Sequence, residues 1–141
     1  MRDQRHAPEG GRTTTVTVPA ELRYLEVLRV AVRVATEGAG CDYGCDRDLQ
    51  LAADELASIL IVSARTPGTL RLAVTTDESD VYVRMMVPLA ETGFQTEVAD
   101  LTRMLLDATV DSYDVRSDGG ELIGVLQRAL DSIDGRGNAA G

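Results

Sequence analysis

Hydrophobic and polar positions recur along the chain with periods that predict its first elements. The β-branched run Thr13–Val18 predicts a short strand, and Pro19 ends it because proline cannot donate to a strand ladder. From Ala20 to about Glu37, apolar residues recur at steps of three and four, which predicts an amphipathic helix. The positions expected to point inward are Leu22, Leu25, Leu28 and Val32.

A second helix is predicted from about Arg47 to Ser63, with Asp46 as its N-cap. After Asp54 and Glu55 this segment is apolar on almost every side, so we expect it to be central and buried. Two acids on such a helix require a partner or a solvated pocket, because a buried carboxylate is costly.

The rest of the chain predicts two strand pairs separated by a third helix. This helix is expected over Thr96–Thr109, and the order βααββαββ predicts an α+β two-layer sandwich. Its sheet is expected to be mixed but mainly antiparallel, with the helices on one face. The predicted strands are Thr69–Thr75, Val81–Val87, Ser112–Arg116 and Glu121–Leu130, and the inward positions of the third helix are Val98, Leu101, Leu105 and Ala108.

These elements predict one domain over residues 13–130. A chain of 141 residues has the ordinary size of a single-domain protein. The polar, glycine-containing ends, residues 1–12 and 131–141, are predicted to be disordered tails.

Charge narrows the range of functions. The chain has 23 acidic and 14 basic residues, a formal net charge of −9, so binding to nucleic acid or anionic lipid is not expected. All the cations are arginine, which excludes lysine-based phosphate binding and Schiff-base chemistry. Neither a signal peptide nor a membrane-spanning apolar run is present, so we expect a cytoplasmic location and no contact with a membrane.

Motifs for general catalysis are nearly absent. Cys41 and Cys45 lie four residues apart in a glycine-containing loop, and with His6 they do not make a zinc site. A redox pair is one interpretation of the cysteines; two reduced thiols, the usual state in the cytosol, is the other and the favoured one. The chain shows no P-loop and no nucleophile elbow, and His6 has no triad around it.

The segment Asp48–Leu56 resembles the helix that opens the ATP site in the anti-sigma factor serine kinases, which have the histidine-kinase-like (GHKL) ATPase fold. The resemblance extends from Val16 to about Leu130, in the same element order, and is greatest to an actinobacterial subgroup of this sporulation and stress-response family. It implies partner switching between an alternative sigma factor and an anti-anti-sigma (STAS) protein. It also implies a homodimer. We expect the strand Thr13–Val18 near the two-fold axis, because a short β-branched edge strand has unpaired backbone groups that a second copy can cover.

Departures from the family pattern concern the ATP site. Glu55 matches the family's acid, but Ile59 stands where the family has the asparagine that binds Mg²⁺. Val83–Pro88 replaces the adenine-binding Asp-x-Gly-x-Gly segment, and no glycine lies between Gly93 and Gly119 to form a phosphate-cradling turn. We therefore expect no cofactor, no metal and no kinase activity, with Glu55 as a relic of the ATP-site acid.

The sequence thus predicts a non-catalytic anti-sigma factor. An active serine kinase acting on an anti-anti-sigma protein is the main alternative, and a regulatory module with a small ligand in the altered pocket is another. By resemblance, Arg29 falls on the family's arginine that contacts both partners. Arg33 and Glu26 lie beside it on the outward side of the first helix and are expected to join it in binding.

Overall fold

The computed structural model describes residues 11–90 and 98–130, which form two layers, a sheet and a set of helices. The strands are β1 (Arg12–Pro19), β2 (Thr69–Thr76), β3 (Asp80–Pro88), β4 (Ser112–Asp118) and β5 (Glu121–Ala129). The α-helices are α1 (Leu25–Thr36), α2 (Tyr43–Ser63) and α3 (Asp100–Thr109), and a 3₁₀ turn (Leu22–Tyr24) precedes α1.

The five strands form one sheet in the order β1-β2-β3-β5-β4. Each neighbouring pair is antiparallel, so the expectation of a mixed sheet is wrong for the described residues. The reason is that β2–β3 and β4–β5 are hairpins, and that β5 lies between β3 and β4. Because β5 is antiparallel to both of these strands, β3 and β4 run in the same direction but are not paired with each other.

The helices cover one face of the sheet, as predicted. Buried and partly exposed side chains alternate along β3: Val83 and Met85 are buried, while Arg84 between them is partly exposed. Gly124 of β5 lies opposite Met85 and faces the Leu56 side chain of α2. α1 lies over β1 and β2, α2 over β3 and β5, and α3 beside β4. The predicted α+β two-layer sandwich is confirmed.

The first helix begins later than expected. The predicted helix from Ala20 becomes a 3₁₀ turn followed by α1 from Leu25, so Leu22 precedes the α-helical register and is 52% exposed instead of inward. Leu28 and Val32 are buried as predicted. The first strand begins at Arg12, one residue before the predicted domain boundary.

The central helix begins one turn earlier than predicted, and its N-cap is Asp42 instead of Asp46. The Asp42 carboxylate accepts a hydrogen bond from the Cys45 backbone N–H at 2.8 Å. Asp46 is thereby inside the helix. The helix is buried as its apolar sequence predicts: Leu49, Leu56 and Leu60 are completely buried.

The buried face of the third helix matches the predicted one only in part. Of the predicted inward positions, Val98 and Leu105 are partly buried against the core, whereas Leu101 and Ala108 are not. Thr102, Leu106 and Thr109 are buried, whereas Leu101 is 77% exposed and Ala108 is exposed too. Threonine can occupy these buried positions because its hydroxyl finds an acceptor: Thr109 donates to the Leu105 carbonyl oxygen at 2.8 Å. The predicted start at Thr96 lies outside the described residues, as do both ends, residues 1–10 and 131–141.

Candidate functional site

The three predicted partner-binding residues share one outward face of α1. Glu26, Arg29 and Arg33 are all exposed and follow one another at steps of three and four, so they are neighbours on the helix surface. The opposite side of α1 contains the buried Leu28 and Val32. The structure therefore brings the three predicted residues together on an accessible surface.

Arg29 is bound to α2 by an ion pair with Asp54. Its Nε lies 3.0 Å from Asp54 Oδ1 and its Nη2 lies 3.3 Å from Oδ2, so two donors of the guanidinium meet two carboxylate oxygens. This hydrogen bonding, together with the charge of Asp54, raises the pKa of Arg29, which stays protonated. The two side chains are 45% and 34% exposed.

A second contact fixes the backbone beneath the pair. The Gln50 side-chain amide donates from Nε2 to the Arg29 carbonyl oxygen at 3.1 Å. Gln50 and Asp54 lie four residues apart and so share one face of α2. Both ends of Arg29, side chain and main chain, are thus attached to the neighbouring helix.

The ion pair leaves part of Arg29 available. A guanidinium has five N–H donors, and Asp54 receives bonds from Nε and Nη2. Within residues 11–90 and 98–130, Nη1 makes no hydrogen bond. Its edge can therefore receive a second carboxylate, which is the chemistry expected of an arginine that binds an acidic partner.

Sequence reasoning left a partner or a solvated pocket open for Asp54 and did not identify Arg29 as its partner. The signal was an acid on an otherwise apolar helix. Gln50 was missed altogether, because its role consists of a bond to a main-chain oxygen 21 residues earlier.

Glu55, the residue matched to the ATP-site acid, is engaged by α3. Thr102 donates from Oγ1 to Glu55 Oε2 at 2.6 Å, which joins α2 to α3 across the region where a nucleotide is expected to lie by resemblance. Ile59, one turn further on, is partly buried against the hydrophobic core. Its side chain has no oxygen for a metal ion.

The segment matched to the adenine-binding loop is a central part of the sheet. Val83–Pro88 belongs to β3, which is paired on both sides, with β2 and with β5. At its middle, Arg84 lies opposite Ala73 and Val125. No carboxylate or glycine is available in this segment to bind an adenine.

The start of α3 also lacks the features of a phosphate site. A helix N-terminus attracts anions through its free N–H groups and its dipole. Here Asp100 places a carboxylate in the first turn, which repels a phosphate, and Ala99 at the N-cap supplies no side-chain bond.

Metal-binding clusters and membrane-spanning helices are both missing from the part of the chain that the structure describes. No group of three or more His, Cys, Asp or Glu side chains there is arranged to hold a metal ion. None of the described helices is long and apolar enough to cross a membrane.

Comparisons with known proteins show a likeness to solved structures. No protein-family model and no curated protein matches the chain. Its fold is similar to a crystal structure of the RsbU and RsbW domains of Rv1364c from Mycobacterium tuberculosis, with a TM-score of 0.67 and 15% sequence identity. The match covers 84% of this chain but 32% of the other. At this identity the likeness concerns the fold alone, an α+β sandwich of one antiparallel sheet and a layer of helices.

Proposed function

We propose that this chain is an anti-sigma factor that sequesters an alternative sigma factor and releases it by partner switching with an anti-anti-sigma STAS protein. RsbW, one of the two domains in the structural neighbour, is an anti-sigma factor and kinase of this fold. The resemblance of Val16–Leu130 to the same family supports the proposal independently.

The arrangement of Arg29 is the observation that carries the proposal. An exposed arginine held by Asp54 and flanked by Glu26 and Arg33 is a ready-made recognition surface for a partner carboxylate. Nothing in such a surface requires a nucleotide. Two partners that both need Arg29 exclude one another, and such exclusion is the basis of partner switching.

We further propose that the protein acts without ATP and without kinase activity. Ile59 removes the Mg²⁺ ligand, β3 replaces the adenine loop, and Thr102 already donates a hydrogen bond to one Glu55 oxygen. Asp100 at the start of α3 disfavours a triphosphate. These four features act on different parts of a nucleotide, so a single reversion is not expected to restore binding.

Capture of partners with and without ATP tests the proposal. The full chain, immobilised, is exposed to the native cytoplasmic extract, and each captured sigma factor is purified and titrated against the chain in nucleotide-free buffer. A stable complex without nucleotide is expected, with the STAS protein displacing sigma. Failure of purified sigma factors to bind contradicts the anti-sigma function.

A second measurement distinguishes an active serine kinase from a non-catalytic anti-sigma factor. Titration calorimetry with Mg·ATP is expected to give no binding for the wild type or for Ile59→Asn, which restores only the metal ligand. Micromolar affinity, or transfer of labelled phosphate to a purified STAS protein, would establish a kinase instead. If neither a sigma factor nor a STAS protein binds, and a metabolite raises the melting temperature of the chain, the protein would instead be the ligand-binding module.

A further inference from the structure

Both cysteines of the chain lie at the amino-terminal end of α2, and the structure joins them. Cys41 and Cys45 form a disulfide, with their Cα atoms 5.3 Å apart. The favoured expectation of two reduced thiols differs from this arrangement. Cys41 precedes the N-cap Asp42, and Cys45 lies in the first turn of the helix, so the disulfide links the residue before the cap to the first turn.

The two sulfur-bearing residues differ sharply in accessibility. Cys45 is completely buried and belongs to the hydrophobic core, next along the helix face to Leu49. Cys41 is partly exposed at the edge of that core. A small oxidant or reductant dissolved in water can therefore reach Cys41 first.

Contacts other than the disulfide also hold this turn. Asp42 caps the helix through the Cys45 N–H, and its carbonyl oxygen accepts from the Asp46 N–H at 2.8 Å. Asp48 binds Arg128 of β5 at 2.9 Å, with the Arg128 side chain only 11% exposed. A bond between residues four apart closes a short loop, which removes little entropy from the unfolded chain.

The connection between α1 and α2 on the other side of Cys41 has space at its glycines. Gly40 has a positive φ of 85°, which glycine adopts without strain, and a Cβ added at Gly38 would meet no atom within 4 Å. The Asp42 cap and the Asp48–Arg128 ion pair contain no sulfur atom, so breaking the S–S bond removes neither of them. The disulfide therefore distinguishes two folded states of one turn.

We propose that Cys41 and Cys45 form a reversible oxidation site whose oxidant is a hydroperoxide. The Cys41 thiolate attacks the peroxide oxygen, the O–O bond breaks, and Cys41 becomes a sulfenic acid as water leaves after protonation. The Cys45 sulfur then attacks the Cys41 sulfur and displaces a second water. Two thiols and one hydrogen peroxide thus yield one disulfide and two waters, and a dithiol reductant reverses the change by exchange.

Peptide mass analysis of the full chain tests the chemistry. Trypsin releases both cysteines in one peptide, residues 34–47, which contains no methionine, so oxidation elsewhere does not interfere. After reduction with dithiothreitol and exposure to hydrogen peroxide, this peptide is expected to lose two hydrogens, and renewed dithiothreitol is expected to restore them. Persisting thiols, stable addition of oxygen, or a cross-link between two chains would overturn the proposal.

Single-cysteine variants test the order of attack. In Cys45→Ala, peroxide is expected to give a sulfenic acid at Cys41 that dimedone traps. In Cys41→Ala, the buried Cys45 is expected to react at least about tenfold more slowly. Equal rates would contradict the assignment of Cys41 as the residue attacked first.

Hydrogen exchange tests the structural consequence. Amides in the first turn of α2 are expected to exchange roughly tenfold more slowly in the oxidised chain, while amides in β3 and β5 do not change. Cys41→Ala, which cannot form the bond, is the matched control and should show no effect of peroxide. Identical exchange in the oxidised and reduced wild type would refute the two-state turn.

Discussion

At the scale of single residues, the ion pair between Arg29 and Asp54 determines how the proposed partner surface works. An arginine free in solvent must lose side-chain entropy when it binds. Asp54 and Gln50 already restrict Arg29 in the unbound chain. The remaining guanidinium edge is presented in one orientation, which lowers the cost of capturing a carboxylate from a partner.

Arg29→Ala is expected to weaken binding of both the sigma factor and the STAS protein by roughly thirtyfold, an effect typical of a hot-spot arginine at an interface. The melting temperature should change little, because the pair is exposed to solvent and no core side chain is removed. Calorimetric titration with each partner measures the effect. Arg65→Ala removes the same charge from an exposed position outside the site and is the control. Unchanged affinity for both partners would end the assignment.

Asp77 holds the turn between β2 and β3 and makes stability depend on pH. Its Oδ1 accepts hydrogen bonds from the backbone N–H groups of Ser79 and Asp80, each at 2.8 Å. These bonds stabilise the ionised form and lower the pKa of Asp77 below its usual value. A lowered folded-state pKa contributes stability above the unfolded pKa, and the contribution disappears as pH falls through the folded pKa.

Two variants separate the bonds from the charge. Asp77→Ala removes both acceptor bonds and is expected to lower the free energy of unfolding by about 1 kcal/mol at neutral pH. Asp77→Asn retains an acceptor without the charge, so it should be less stable than wild type at neutral pH and equal to it at acidic pH. Urea titrations across the acid range measure this difference. A constant gap between wild type and Asp77→Asn at every pH would show that the charge has no role.

At the scale of whole elements, the fit of α2 on the sheet depends on one glycine. A Cβ at Gly124 of β5 would lie 2.8 Å from Leu56 Cδ1 and 2.9 Å from its Cγ. Leu56 is completely buried, so it has no space into which to retreat. The close approach of helix and sheet therefore requires the absence of a side chain at this position.

Gly124→Ala is expected to lower the free energy of unfolding by about 1–3 kcal/mol through overpacking, as measured by urea denaturation. The double variant Gly124→Ala/Leu56→Ala should lose less than the sum of the two single losses, because the smaller side chain admits the new methyl group. Gly38→Ala, with nothing within 4 Å of its Cβ, serves as control and should stay within about 0.5 kcal/mol of wild type. Simple additivity in the double variant would refute the contact.

Element order and fold class could be predicted from the sequence, whereas element ends and one helix face could not. Periodicity identified α2 because leucine and alanine dominate it, but its first turn contains Gly44 and Cys45, which conceal the Asp42 cap. In α3, periodicity treats threonine as polar. Thr102 is buried only because Glu55 arrives from another helix, and such a long-range partner is absent from local sequence patterns.

At the scale of the whole molecule, the outer edge of β1 and the adjoining side of α1 form an apolar groove. β1 is the end strand of the sheet, and within residues 11–90 and 98–130 no strand pairs with its outer edge. Val27, Val30 and Val34 line the groove and are 43%, 41% and 56% exposed. Unpaired strand edges beside exposed apolar residues favour pairing with another chain.

The groove adjoins the proposed partner surface and shares Glu26 with it, but it does not include Arg29. Val27 and Val34 lie on the side of α1 toward β1, whereas Arg29 leans toward Asp54 on the side of α2. A second copy joined through β1 therefore leaves Arg29 open to a sigma factor or a STAS protein. The sequence predicted dimerisation by resemblance and placed it at Thr13–Val18 because a short β-branched edge strand has unpaired backbone groups that a second copy can cover.

We accordingly expect a homodimer formed by antiparallel pairing of two β1 strands, with Val27, Val30 and Val34 of the two copies packed across the two-fold axis. Light scattering at micromolar concentration should give twice the mass of one chain. Val27→Glu should raise the dissociation constant of the dimer by at least about a hundredfold, because a charge would be buried without a partner. Val62→Glu changes a valine that is 75% exposed on α2, away from the groove, and should remain dimeric. A monomeric wild type would refute the dimer, and equal effects of the two variants would place the interface elsewhere.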